Sequence, residues 1–149
     1  MVSPPAYAER LRVPLRWWVQ ATMFLATLWL AFIVATPAWL AWTATAVLSA
    51  ATYGMFWLLG SALIEVGDGM LRAGRAHIPL HLLGTPEPLD AEGTRRVHGV
   101  DADARAYLLT RPYLRRSLRV PVLDPADPTP YWLLSTRHPQ ALAEAISAG

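Results

Sequence analysis

A stretch of roughly 48 residues, from Trp17 to Ile64, contains no charged side chain. A helix needs about 20 apolar residues to cross the hydrocarbon core of a bilayer, so this stretch is long enough for two spans. Pro37 disfavours helix at the residue before it and suits the start of a new helix. We therefore predict a transmembrane helical hairpin over residues 17–60, with spans near 17–35 and 38–60.

The arginines on either side of this stretch predict its orientation. Arg10, Arg12 and Arg16 precede the first span, Arg72 and Arg75 follow the second, and the turn between the spans is uncharged. By the positive-inside rule, both termini are cytoplasmic in a multi-pass protein of the plasma membrane, with residues 1–16 as a cytoplasmic N-terminal segment. A cleaved signal peptide is the alternative, but the first apolar stretch is long for a signal core and a second follows directly.

Composition excludes several classes of function. Hydrophobic residues make up 54% of the chain and charged residues only 16%, whereas soluble proteins carry about 25% charged residues. The absence of cysteine excludes disulfides and thiolate chemistry, and the absence of lysine excludes a Schiff base or a Walker-type phosphate loop. The net charge of +2 is too small to indicate a nucleic-acid partner. No ionisable side chain lies within either predicted span, which disfavours a pump or coupled transporter.

Small residues recur at four-residue spacing along the second span, at Ala46, Ala50 and Gly54. Such a stripe lets another helix approach closely. It is either the packing seam within the hairpin or a contact for a homo-oligomer.

The remainder, residues 61–149, consists of short apolar stretches broken by glycine and proline. Alternation in Arg115–Asp124 indicates a half-buried strand, and Pro121 in it favours an edge position or a bulge. A short helix is expected after Asp90 as N-cap, and a last helix from Pro139. We predict an α+β protein, in which the hairpin is followed by a small antiparallel β-barrel or curled sheet and a C-terminal helix. This β-rich domain faces the cytoplasm.

The motifs in order are YAERLRVPLRWW, the uncharged hairpin, GDGMLRAGRAHIPL, LDAEGTRR and DPADPTPYWLLSTRHP. This order resembles an actinobacterial family of small membrane proteins known as a domain of unknown function. The resemblance covers nearly the whole chain and brings no activity with it. The soluble part also looks like bacterial pleckstrin-homology-like folds, as an analogy of strand order and closing helix.

Residue types of a hydrolase triad occur in the last motif, as Ser135, His138 and either Asp124 or Asp127. No glycine flanks Ser135, whereas nucleophilic serines usually sit in a sharp, glycine-flanked turn. The aspartates and prolines are typical of a turn, and His138–Pro139 of a helix start. A metal shared by His77 and His81 is disfavoured, because in an extended strand they lie about 13 Å apart. Asp101 and Asp103 are expected in an exposed loop.

Five arginines are candidates for contact with anionic lipid or phosphate, namely Arg72, Arg75, Arg115, Arg119 and Arg137. A basic side chain near an anionic leaflet contributes about 1 kcal/mol, and guanidinium can donate two hydrogen bonds to one phosphate. The alternative is an ordinary solvated surface that pairs with acidic residues. We expect a non-enzymatic membrane adaptor without cofactor or metal, whose partners are membrane lipids, a protein or a second copy. An oligomeric membrane-complex or channel subunit is the alternative, and a hydrolase is the least favoured.

Overall fold

The computed structural model describes residues 4–149 and confirms an α+β protein with two N-terminal helices and a C-terminal helix. The first three residues of the predicted N-terminal segment lie outside the described residues. The helices are α1 (Leu15–Ala35), α2 (Ala38–Leu59), α3 (Ala91–His98) and α4 (Pro139–Ala148). The strands are β1 (Tyr7–Arg10), β2 (Leu63–Gly67), β3 (Met70–Ala73), β4 (Ala76–Pro79), β5 (Glu87–Leu89), β6 (Tyr107–Leu109), β7 (Ser117–Pro121) and β8 (Tyr131–Ser135). A 3₁₀ turn, Leu80–Leu82, follows β4.

The chain divides into two compact units. One unit is the helical hairpin, Arg12–Ser61, and the other joins the residues up to Leu11 with Ala62–Gly149. This second unit, which we call the sheet domain, therefore begins before the hairpin in the sequence, because β1 pairs antiparallel with β2 and places Tyr7 opposite Val66. The sequence analysis missed β1, since a four-residue strand has too short a pattern to be distinguished from coil.

Within the hairpin, Pro14 and Pro37 immediately precede α1 and α2, as fits a residue without a backbone N–H. The two helices are joined by a hydrogen bond of 2.7 Å between the hydroxyls of Thr22 and Tyr53. The Trp18 ring stacks on the Tyr53 ring, with 5.6 Å between their centres. By length and composition, α1 could span a membrane. No second such helix occurs among the described residues, because the threonines, serine and tyrosine of α2 lower its hydropathy.

The sheet domain contains two open four-stranded sheets, ordered β1-β2-β3-β4 and β5-β7-β8-β6. The prediction of a single barrel or curled sheet is therefore wrong. Pro79 ends β4, Pro86 directly precedes β5 and Pro88 lies within β5. None of these prolines has an N–H that could continue one ladder. The second sheet is also not wholly antiparallel. Strand β8 lies between β6, which is an edge strand, and β7. It runs antiparallel to β7 and parallel to β6.

Strand β7 lies between β5 and β8, so the predicted edge position is wrong. Pro121 is tolerated there because it is the last residue of β7, where its carbonyl accepts a hydrogen bond of 2.8 Å from the Gly84 N–H. The main core includes Ile64 and Leu71 from the first sheet, Leu118 and Leu134 from the second, and Leu142 from α4.

The opposite face of the second sheet has a smaller core, in which Val97 of α3 packs with Tyr131 and Leu133. Every residue of β8 is buried. Apolar residues therefore occupy consecutive positions in its sequence, YWLLS, instead of alternating with polar ones.

Candidate functional site

A groove of about 660 Å³ lies between α3 and the loop that joins β6 to β7. The helix contributes Ala91, Thr94, Arg95 and His98. The loop contributes Thr110, Arg111, Pro112, Leu114 and Arg115. None of these residues is acidic, and three are arginines. We call this cavity the basic groove.

Helix α3 is fixed against the second sheet by its own sequence. The Asp90 carboxylate caps the helix by accepting a hydrogen bond of 2.7 Å from the Gly93 N–H. Thr94 is buried and its hydroxyl lies 2.7 Å from that of Ser117 on β7. With Thr94 and Val97 turned toward the sheet, Arg95 and His98 remain exposed. The helix therefore presents one guanidinium and one imidazole at the basic groove.

The loop on the other wall is anchored to β8. The Arg111 backbone N–H donates a hydrogen bond of 3.0 Å to the Ser135 hydroxyl, which is almost fully buried. The Leu114 N–H donates to the Arg111 carbonyl across 3.0 Å, which closes a turn. This turn leads to Arg115, which is exposed.

The charges of the basic groove are only partly balanced within the chain. Neither Arg95 nor Arg115 has a carboxylate within ion-pairing distance in the part of the chain that the structure describes. His98 Nδ1 lies 2.8 Å from the Thr94 carbonyl oxygen. Because a carbonyl can only accept a hydrogen bond, Nδ1 carries the proton and donates. This tautomer leaves Nε2 of His98 for another contact. The arrangement is suited to an anion with an apolar portion.

A second polar cluster joins β1 to the end of β8, around the side chain of Glu9, which is 9% exposed. This carboxylate accepts hydrogen bonds from the Tyr7 hydroxyl at 2.6 Å, the Arg137 backbone N–H at 3.0 Å and the Thr136 hydroxyl. The Arg137 guanidinium lies 3.8 Å from it. Burial and the hydrogen bond to Glu9 raise the pKa of Tyr7 to about 12. We call Tyr7, Glu9, Thr136 and Arg137 the Glu9 cluster.

Glu9 points inward although β1 is an edge strand. It lies opposite Ile64, which is fully buried. An inward-pointing charge on an edge strand discourages pairing with another chain. The Glu9 cluster is therefore best explained as a structural element that attaches the N-terminal strand.

The structure separates the five arginines that the sequence analysis selected. Arg115 and Arg137 together line a small cavity of about 230 Å³ with Tyr113, whose pKa burial raises. Arg72 lies exposed on the first sheet between Glu65 and His77 in the register, and Arg75 is exposed in the β3–β4 turn.

Arg119 lies on β7 and has a partner side chain on each of the two neighbouring strands. Its guanidinium lies 3.9 Å from the Glu87 carboxylate and 4.5 Å from the centre of the Tyr131 ring. For Arg119, the alternative of pairing across the sheet therefore fits best.

The residues of the hydrolase hypothesis serve local structure. Ser135 is 1% exposed, and no hydrogen bond joins it to His138 in the described part of the chain. Asp124 and Asp127 each accept a hydrogen bond of 2.9 Å, from the N–H groups of Ala126 and Thr129. The bonds from Thr129 lower the pKa of Asp127. His138 directly precedes α4.

Other candidate residues lie apart from the basic groove. Among residues 4–149, no group of three or more histidines and acidic residues could hold a metal ion. His77 lies in β4 and His81 in the 3₁₀ turn. Asp103 pairs with Arg105 at 3.1 Å, and this hydrogen-bonded contact lowers the pKa of Asp103. Asp101 is exposed.

The small-residue stripe on α2 does not form the seam of the hairpin. Ala46, Ala50 and Gly54 are all exposed, and a Cβ added at Gly54 would meet no atom within 4 Å. The contact with α1 instead uses buried residues such as Phe56, whose ring lies 5.3 Å from that of Trp18.

Arg95, Arg111 and Glu9 are not among the residues selected from the sequence. Arg95 and Arg115 are far apart in the sequence, so nothing there indicates that both line one groove. The one available signal was Asp90, because an N-cap fixes which residues of a short helix face outward.

Comparison with known proteins identifies the family. The family model described as "Protein of unknown function (DUF3093)" matches residues 6–146. No curated protein and no solved structure matches the chain. The matched range includes both N-terminal helices, all eight strands and most of α4. The chain therefore belongs to the DUF3093 family.

Proposed function

We propose that this protein is a non-enzymatic, membrane-anchored module that binds anionic lipid or a partner protein through its cytoplasmic domain. The basic groove carries this proposal, because it combines apolar walls with Arg95 and Arg115, neither of which has a carboxylate within ion-pairing distance among the described residues. Such convergence of polar groups on an apolar cavity is typical of ligand sites.

The surface of the hairpin supports its insertion in a membrane. Large apolar side chains point outward from both helices, including Phe24 and Val34 of α1 and Val47 and Trp57 of α2. A soluble protein rarely exposes so much contiguous apolar surface. We infer a two-span protein of the plasma membrane, with both termini cytoplasmic because Arg10, Arg12, Arg16, Arg72 and Arg75 flank the hairpin. An actinobacterial origin and a pleckstrin-homology-like relationship are part of the same proposal and rest on the sequence resemblance alone.

We propose no catalytic role, because the candidate polar side chains form hydrogen bonds that belong to the fold. Ser135 accepts a hydrogen bond from the loop, Thr94 bonds Ser117, and Glu9 holds Thr136. These contacts stabilise the fold and leave the basic groove with arginines and one histidine. Guanidinium groups are suited to holding an anion, whereas their very high pKa disfavours acid–base work.

Arg72 and Arg75 are candidates for an additional contact with the anionic leaflet. Both are exposed, and the chain passes directly from the hairpin into the sheet that carries them. Each would contribute about 1 kcal/mol near an anionic surface.

Lipid enrichment tests the proposal. The full chain is reconstituted in nanodiscs of mixed phosphatidylcholine and phosphatidylglycerol, and the lipids retained on release are counted by native mass spectrometry. We expect phosphatidylglycerol to be enriched over its share of the bilayer. A combined Arg72→Gln, Arg75→Gln, Arg95→Gln and Arg115→Gln variant should lose that enrichment. Retention of both lipids in bilayer proportion by the unaltered chain would contradict lipid recognition.

A second candidate function, an oligomeric membrane component, is favoured by the exposure of the stripe at Ala46, Ala50 and Gly54. Small residues on an outward helix face allow close contact with another helix. If this holds, Gly54→Leu should reduce the oligomer mass in mild detergent, whereas Ala51→Leu should not. A monomeric unaltered chain would exclude this candidate.

A further inference from the structure

We infer that the basic groove holds the headgroup of an anionic phospholipid, with the phosphate between Arg95 and Arg115. This inference rests on the proposed function and assigns the ligand class and the residues that recognise it. The volume of about 660 Å³ falls within the range of small-molecule sites.

The two arginines supply recognition of the phosphate. Arg95 lies on the helix wall and Arg115 on the loop wall, and both are exposed. Because neither has a carboxylate partner among the described residues, binding an anion does not first require an ion pair to be broken. Guanidinium matches the geometry of phosphate oxygens with paired hydrogen bonds.

The apolar lining distinguishes a lipid from a free phosphate. Ala91, Pro112 and Leu114 line the same cavity as the arginines. A glycerol backbone and the first carbons of its acyl chains would bury apolar surface against them, which favours binding. Inorganic phosphate has no such portion and should bind much more weakly.

The walls are held in place before any ligand arrives. On the helix side, Asp90 caps α3 and Thr94 bonds Ser117. On the loop side, the Arg111 N–H bonds Ser135. A site that needs little ordering loses less conformational entropy on binding, so two arginines suffice for measurable affinity.

The test uses the full chain in mild, uncharged detergent and short-chain lipids that need no bilayer. Binding of dihexanoyl-phosphatidylglycerol, dihexanoyl-phosphatidylcholine and inorganic phosphate is measured by calorimetry. We expect the anionic lipid to bind at least about tenfold more tightly than the other two, and Arg95→Gln and Arg115→Gln to weaken it about tenfold each, equivalent to ~1.4 kcal/mol.

Matched variants separate the outcomes. Arg105→Gln removes an exposed arginine that pairs with Asp103 outside the groove, and should leave binding unchanged. If Arg72→Gln with Arg75→Gln abolishes binding while the groove variants do not, the site assignment is overturned and the proposed function stands. If inorganic phosphate binds as tightly as the anionic lipid, a soluble phosphate is the ligand and the lipid assignment is overturned. If the two lipids bind equally, lipid recognition as part of the proposed function fails as well.

Discussion

Replacing Glu9 by alanine should detach β1 from the end of β8. The Glu9 side chain is 9% exposed and accepts hydrogen bonds from Tyr7, Thr136 and the backbone of Arg137. A buried donor left without a partner costs about 1–3 kcal/mol, and the fully buried Thr136 hydroxyl would keep only the longer contact of 3.2 Å with the Tyr7 hydroxyl. The Arg137 N–H lies at an exposed residue, so water can take the place of the carboxylate there. The ion pair adds only about 0–1 kcal/mol, because the Arg137 side chain is 38% exposed.

These contributions predict that Glu9→Ala lowers the free energy of opening of the first sheet by about 1–3 kcal/mol, a sizeable part of the 5–15 kcal/mol typical of a domain. Glu9→Gln should cost less, because its amide oxygen can still accept from the Arg137 N–H. Hydrogen exchange of the full chain in detergent measures the effect, since local opening is resolved peptide by peptide. Fluorescence is unsuitable, because only Trp132 of the seven tryptophans lies outside the hairpin.

Glu144→Ala is the matched control, because Glu144 is exposed on α4 and forms no ion pair among the described residues. It should leave exchange in β1 and β2 within about 0.5 kcal/mol of the unaltered chain. Equal effects of the Glu9 and Glu144 substitutions would refute the reasoning, since burial and hydrogen bonding would then not distinguish the two carboxylates.

Three further outcomes are expected. The pKa of Tyr7 is raised from 10.0 to about 12. Its contribution to stability is therefore complete below pH 10 and is lost as the pH rises toward 12. Circular dichroism should show a smaller loss of structure over this pH range in Tyr7→Phe. Thr94→Val should destabilise the domain by about 1–3 kcal/mol, because the buried Ser117 hydroxyl loses its partner, and adding Ser117→Ala should recover part of the loss in chemical denaturation. The chain has no cysteine, so single cysteines can be introduced as labelling sites. Thr36→Cys at the hairpin turn should react with an impermeant maleimide on intact cells, whereas Val100→Cys should react only after lysis. Labelling of both variants on intact cells would contradict a cytoplasmic location of the domain.

Local features of the fold were readable from the sequence where one residue type has a direct backbone consequence. Pro37 directly precedes α2, Asp90 caps α3 and Pro139 begins α4, each as its chemistry predicts. The turn formed by Asp124 and Asp127 follows from the same kind of reasoning.

Long-range arrangements were not readable in this way. Strand β1 is recruited across the whole hairpin, and the partner of its inward carboxylate, Thr136, is 127 positions further along the chain. The division into two sheets depends on where hydrogen-bonded ladders stop, which a period-2 pattern does not encode. The basic groove combines a helix face and a loop, so Arg95 and Arg115 become neighbours of one cavity only through tertiary packing.

The central claim, that the basic groove is the ligand site of a membrane-anchored module, is tested most directly by photocrosslinking in native membranes. A benzophenone amino acid replaces Leu114, which lines the groove, or Val100, which is highly exposed outside it. After irradiation, the purified chain is analysed by mass spectrometry. The account predicts an adduct with the mass of an anionic phospholipid at Leu114 that is lost with Arg95→Gln and Arg115→Gln, and none at Val100. Neutral lipid alone at Leu114, or the same adducts at both positions, would contradict it.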